Sequence, residues 1–275
     1  MKRIEIKTFG LSLLLSLLSV SASAQTVQRP FQPGEELTYK AEVSRALLKK
    51  IDVATFTFRV DGPARKAHST TESPSIKFVG DVSSEGFFTK LFNLKFHQHV
   101  ESLVDPDSGA VQKTIKLDEQ GKRIRTSEAT FDQKTRKVLW TETDPNDPNR
   151  PPWTLTAEFS GTVQDVVSAI YFLRSQKLAL GTEVVLEISD SGRVYKVPVR
   201  VVERKTFNTA LGKVSALHLE AGLFGDNAMV QRSGQFSLWL SDDVRHVPLK
   251  AQLKGEFGTF DITLKKATQL RPTAN

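Results

Sequence analysis

The sequence predicts an all-β protein, mostly antiparallel: a large curved or nearly closed sheet of about a dozen strands, with one amphipathic helix at about residues 163–174 packed on its apolar face. Three observations predict it. Apolar and polar residues alternate with period two along most of the chain. Turn-forming residues interrupt the alternation at intervals of roughly ten residues. A single segment switches to helical spacing.

The first element is a leader. Lys2, Arg3 and Lys7 precede the apolar run at residues 11–20 (LSLLLSLLSV), and Ala22-Ser23-Ala24 places small residues before Gln25. Together they read as a signal peptide over residues 1–24, cleaved after Ala24. The apolar run is too short to anchor the chain, and no later run reaches the ~20 residues that span a bilayer, so no transmembrane segment is expected after the signal is removed. The short leader points to bacterial export and a periplasmic or secreted product. Residues 25–275 then form a single β-rich domain.

The strands follow. Leu37, Tyr39, Ala41 and Val43 face one way while Glu36, Thr38, Lys40 and Glu42 face the other. Phe92, Leu94, Phe96 and Val100 oppose Asn93, Lys95, His97 and His99, and Val247, Leu249, Ala251 and Leu253 oppose His246, Lys250, Gln252 and Lys254. One dry face and one wet face is the pattern of antiparallel sheet. Between the runs lie hairpin signals such as Asp105-Pro106-Asp107-Ser108-Gly109, Asp118-Glu119-Gln120-Gly121 and Asp190-Ser191-Gly192. The segment 144–152 (DPNDPNRPP) carries four prolines and is either a stiff surface loop or a joint between two β halves. The similar strands on both sides favour the loop.

The helix is the exception in period. Val163, Val166, Val167, Ile170 and Leu173 recur at helical spacing, Thr162 with Asp165 resembles a capping pair, and Arg174 and Lys177 suit the negative end of the helix dipole. Its role is to cover the apolar face of the sheet.

Composition narrows the chemistry. With no cysteine the chain has no disulfide, thiolate metal site, thiol nucleophile or lipid-modified cysteine. The net charge of +7 falls to +5 once the leader, with three positive residues and one negative, is removed. For an exported protein that mild excess fits anionic envelope surfaces, and no nucleic-acid partner is expected. No serine-hydrolase elbow, zinc-protease helix, phosphate loop or dinucleotide fingerprint is present, and no cofactor is expected.

Two clusters carry conceivable chemistry. His97, His99 and Glu101 are spaced to share one face of a strand and form a candidate metal site, against the plainer reading of a solvated face. Ser241-Asp242-Asp243-Val244-Arg245 reads as a hairpin turn whose carboxylates accept backbone N–H groups, with Arg245 neutralising them. The 17 phenylalanines, including Phe87, Phe88 and Phe92, fill a core or line an apolar cavity.

Four segments carry a resemblance. They are Phe31-Gln32-Pro33-Gly34-Glu35-Glu36-Leu37-Thr38-Tyr39, the helix from Asp165 to Arg174 (DVVSAIYFLR), Leu211-Gly212-Lys213-Val214-Ser215-Ala216, and Trp239 to Leu249 (WLSDDVRHVPL). In that order they resemble the exported bacterial family called domain of unknown function 3108. The resemblance implies a signal peptide and a mostly β body. It implies no activity and transfers no site residue. In outline, a curved sheet capped by a helix is also similar to the periplasmic lipoprotein-carrier fold, although fold does not imply function.

Three functions fit these readings. The first is a non-catalytic envelope protein binding a hydrophobic or amphipathic ligand, such as a lipid, on a concave sheet. The second is a structural or interaction module that docks an envelope protein partner through an exposed edge, for which Pro198 marks a candidate strand. The third is a metal-dependent hydrolase built on His97, His99 and Glu101.

Overall fold

The computed structural model describes residues 29–45, 48–62, 75–86, 89, 95–256 and 258–273. The signal peptide with its cleavage after Ala24, and the aromatic cluster Phe87, Phe88 and Phe92, lie outside these residues.

The described residues form fifteen strands and one helix. The first eight strands are β1 (Glu36–Arg45), β2 (Leu48–Asp61), β3 (Ile76–Ser84), β4 (Phe96–Val104), β5 (Val111–Gln120), β6 (Arg123–Asp132), β7 (Lys137–Thr143) and β8 (Trp153–Glu158). A two-residue strand, β9 (Val163–Gln164), leads into helix α1 (Val166–Arg174). Six more strands complete the chain: β10 (Glu183–Asp190), β11 (Arg193–Thr209), β12 (Gly212–Ala221), β13 (Gly234–Ser241), β14 (Pro248–Gly255) and β15 (Gly258–Thr268).

All fifteen strands lie in one sheet, ordered β8-β7-β6-β5-β4-β3-β2-β1-β15-β14-β13-β12-β11-β10-β9. Neighbours pair antiparallel except β9, which runs parallel to β10. The number exceeds a dozen because long alternating stretches divide at tight turns, and because β9 is too short to show a period. The segment 144–152 closes the β7–β8 hairpin. It is a surface loop within the sheet.

Hydrogen bonding leaves the sheet open, with β8 and β9 at its two edges. These edges are consecutive in sequence, so residues 159–162 carry the chain from one edge to the other. Glu187 of β10 fastens this seam. Its carboxylate accepts the backbone N–H of Ser160 at 2.8 Å and of Gly161 at 2.7 Å, together with the Ser160 hydroxyl. Burial pushes the Glu187 carboxyl up, but the bonds from Ser160 and Gly161 outweigh it and hold it below its ordinary value. A lowered folded value means stability present at neutral pH and lost as pH falls through that value. Glu187→Gln is therefore expected to lower the urea midpoint at pH 7. The gap to the unaltered protein should close as pH falls below the ordinary 4.5 of a glutamate. A gap independent of pH would remove the carboxylate from the seam.

The inner face of the sheet is the dry one. Leu37, Tyr39 and Ala41 of β1, Val60 of β2 and Phe78 of β3 are buried there, as period two dictates. Helix α1 lies against this face. Its N-cap is Asp165, whose carboxylate accepts the N–H of Val167 and Ser168 while the Ser168 hydroxyl accepts the Asp165 N–H. Val163 and Gln164, which helical spacing would include, belong to β9, and Thr162 takes no part in the cap. At the other end the helix stops at Arg174 with Ser175 as C-cap, well before Gly181.

Pro198 does not mark an edge. β11 pairs on one side with β10, where Pro198 faces Val185, and on the other with β12, where Val199 faces Ala221. The Pro198 carbonyl accepts the N–H of Gly222, just past the last residue of β12, so the missing proline N–H falls where the ladder has ended. Gly222 is needed there: a Cβ would lie 2.9 Å from the proline ring.

Candidate functional site

The interior between α1 and the sheet holds two adjoining lobes. The apolar lobe has a volume of about 300 Å³ and is walled by Leu37 and Tyr39 of β1, Leu186 and Ile188 of β10, Leu238 of β13 and Ile262 of β15. The second, more polar lobe, about 290 Å³, has Gln98 of β4, Thr114 and Lys116 of β5, Ser127 of β6, and Ser189 and Asp190 of β10 in its wall beside apolar residues such as Val100, Phe131 and Trp140. Phe56 and Phe58 of β2 and Val166 and Ile170 of α1 line both lobes. Val166 is 49% exposed although apolar, and stands at this junction on the first turn of the helix.

Local sequence explains the walls. Phe56 and Phe58 alternate with Thr55 and Thr57, which puts both rings inward. In β5 the same rule turns polar residues, Thr114 and Lys116, to the inside. Gly80 of β3 lets the helix approach: a Cβ there would lie 2.8 Å from Val167 Cγ2 and 3.4 Å from the Phe58 ring.

The far end of the helix is locked by a clasp. Arg174 and Glu35 are both 0% exposed and form a two-pronged ion pair, Nη1 to Oε1 at 2.5 Å and Nη2 to Oε2 at 3.0 Å. Arg174 Nε also donates to the Arg245 carbonyl at 3.1 Å, and Nη2 to the Pro30 carbonyl at 3.3 Å. His246 Nδ1 lies 2.8 Å from the Arg174 carbonyl. The guanidinium is flanked by the rings of Phe31 and Tyr171. The turn after β13 supports this. Asp243 accepts the Arg245 N–H at 3.0 Å and pairs with its guanidinium at 2.6 Å, as a hairpin turn should. Burial pushes the Asp243 carboxyl up, but the bonds from Arg245 and Ser241 prevail and keep it below the usual range. Asp242 donates its N–H to the Ser215 carbonyl at 2.9 Å, tying in β12.

His97, His99 and Glu101 share a face of β4, opposite the inward-facing Gln98 and Val100. His99 Nδ1 is 2.7 Å from Asp81, His97 Nδ1 is 2.9 Å from Glu119, and Glu101 accepts from Lys77 at 3.1 Å. They form a cross-strand ladder of charges over β3, β4 and β5. Among the described residues no group of three His, Asp or Glu side chains is arranged to hold a metal ion.

A sequence model of proteins of unknown function, DUF3108, matches residues 36–265. The chain belongs to that family. The four segments through which the sequence resembles DUF3108 meet at the clasp: Glu35, Arg174, Ser215, and the turn from Asp242 to His246. Among solved structures the chain is similar to a beta-barrel-like protein of DUF1849 from Brucella abortus, at 11% identity and a TM-score of 0.53, covering 87% of this chain and 98% of that one. That likeness shows the fold alone. Two others are a proposed exported protein with a YmcC-like fold from Bacteroides fragilis (7% identity, TM-score 0.31, 88% and 98% covered) and a proposed lipoprotein from Parabacteroides distasonis (9%, 0.33, 87% and 97%). No curated protein matches the chain. No helix among the described residues is long and apolar enough to cross a membrane.

The sequence signals the phenylalanine load. It gives no sign of Lys116 or Gly80 as parts of the site. Lys116 sits in a strand whose inner face is polar, so no hydrophobic period singles it out, and Gly80 matters only because of a helix residue distant in sequence.

Proposed function

We propose that this DUF3108 protein is a non-catalytic, extracytoplasmic binding protein that takes a hydrophobic or amphipathic ligand into the lobe between α1 and the sheet. The apolar lobe carries the reading. Its walls are almost wholly hydrocarbon, its volume of about 300 Å³ is that of a small-ligand site, and the half-exposed Val166 is one of its lining residues. A core serving stability alone packs to near-crystalline density with few such spaces. The leader expected over residues 1–24 supports placement outside the cytoplasm. The interaction-module reading keeps one observation, the β8 edge, which pairs with β7 alone among the described residues and carries Trp153, 57% exposed.

Native mass spectrometry of protein purified from its exporting host, with solvent extraction, tests the proposal. The expected result is a reproducible extra mass of an apolar or amphipathic compound, lost in Ala251→Trp, which fills the lobe from β14. Absence of bound mass together with no uptake of a twelve-carbon amphiphile would overturn it.

A further inference from the structure

We infer that the ligand is an anionic amphiphile, its apolar chain in the apolar lobe and its negative head beside Lys116 in the polar lobe; this rests on the binding function proposed above. The two lobes adjoin, with Phe56, Phe58, Val166 and Ile170 in the walls of both. A ligand reaching across that junction has hydrocarbon on one side and hydroxyl, amide and charged groups set among apolar ones on the other, which suits a molecule apolar at one end and polar at the other.

The charges decide the sign of the head. Two carboxylates and one ammonium line the polar lobe. Asp165 is already satisfied, accepting the Val167 and Ser168 N–H groups at 2.9 and 2.7 Å and the Thr114 hydroxyl at 2.6 Å, at the positive end of the helix dipole. Gln98 donates its amide to Asp118. Lys116 is different. Its ion-pair partner among the described residues, Asp190, lies 3.8 Å away, beyond hydrogen-bond length. The ammonium thus keeps donors to offer, while three acceptor sites of the Asp165 carboxylate are already taken. Lys250, whose residue borders the apolar lobe, does not compete: its ammonium bonds Asp261 at 2.7 Å and lies over the Trp239 ring.

Three amphiphiles with the same twelve-carbon chain separate head from tail: dodecanoate, 1-dodecanol and dodecyltrimethylammonium, each titrated below micelle formation against a displaceable fluorescent probe. Dodecanoate is expected to bind about ten-fold more tightly than dodecyltrimethylammonium, the size of one charge-assisted hydrogen bond. Lys116→Gln should cut that preference to about two-fold while 1-dodecanol binding stays as it was. Asp190→Asn, which removes the neighbouring carboxylate, should widen the preference. If all three amphiphiles bind but the unaltered protein shows no preference, or Lys116→Gln retains it, the head-group assignment is overturned and the binding function stands. If none binds, the binding function itself fails.

Discussion

Glu35→Met and Arg174→Met are each expected to destabilise the protein by about 3–5 kcal/mol, the cost of leaving one member of a buried ion pair without its partner. Both side chains are fully buried, and the pair joins the N-terminal segment to the end of α1 across 139 residues of sequence. Arg174→Lys should fare little better, since a compact ammonium cannot span both Glu35 oxygens and the carbonyls of Pro30 and Arg245 at once. Removing both charges, as Glu35→Met with Arg174→Met, is expected to cost clearly less than the two single changes added together. Urea unfolding of the four proteins gives the coupling directly. A coupling near zero would show that the clasp does not act as a unit. The same variants bear on the site, because a helix released at Arg174 no longer holds Val166 and Ile170 between the lobes.

The sheet was legible because burial writes itself on alternate residues. Leu37, Tyr39 and Ala41 could only face inward, and His97, His99 and Glu101 could only lie on the opposite face from Val100. What period two cannot report is how a strand ends or what it packs against. Val163 is buried whether it opens a helix or pairs with β10, so its strand state left no trace in the pattern. Pro198 suggested an edge by its missing donor, yet that donor would have pointed past the end of β12. Arg174 was intelligible as a charge near the helix terminus, which it is. Its larger role depends on Glu35, and no local pattern joins two residues so far apart. The family segments were visible as strings, but their common meaning as one clasp exists only in three dimensions.

Gly80 offers the most direct test of how the helix is seated. Its Cβ position is 2.8 Å from Val167 Cγ2, closer than packed carbon atoms approach, while the Phe58 ring at 3.4 Å blocks retreat into the sheet. Gly80→Ala must therefore push α1 outward or shift β3. Overpacking of this kind costs about 1–3 kcal/mol. Gly80→Val, with two more carbons in the same gap, belongs at or above the upper end of that range. Because α1 borders both lobes, its displacement should also weaken dodecanoate binding in proteins that still fold. Val167→Ala takes away the opposing methyl. Alone it leaves a small void and costs stability, but combined with Gly80→Ala it relieves the clash. The double variant is expected to be more stable than the sum of the two losses predicts, and to regain dodecanoate affinity. If instead the two changes add, β3 yields rather than the helix, and Gly80 serves strand packing rather than the placement of α1. The contact between a glycine with an ordinary backbone angle and one helix methyl would then have no bearing on the cavity.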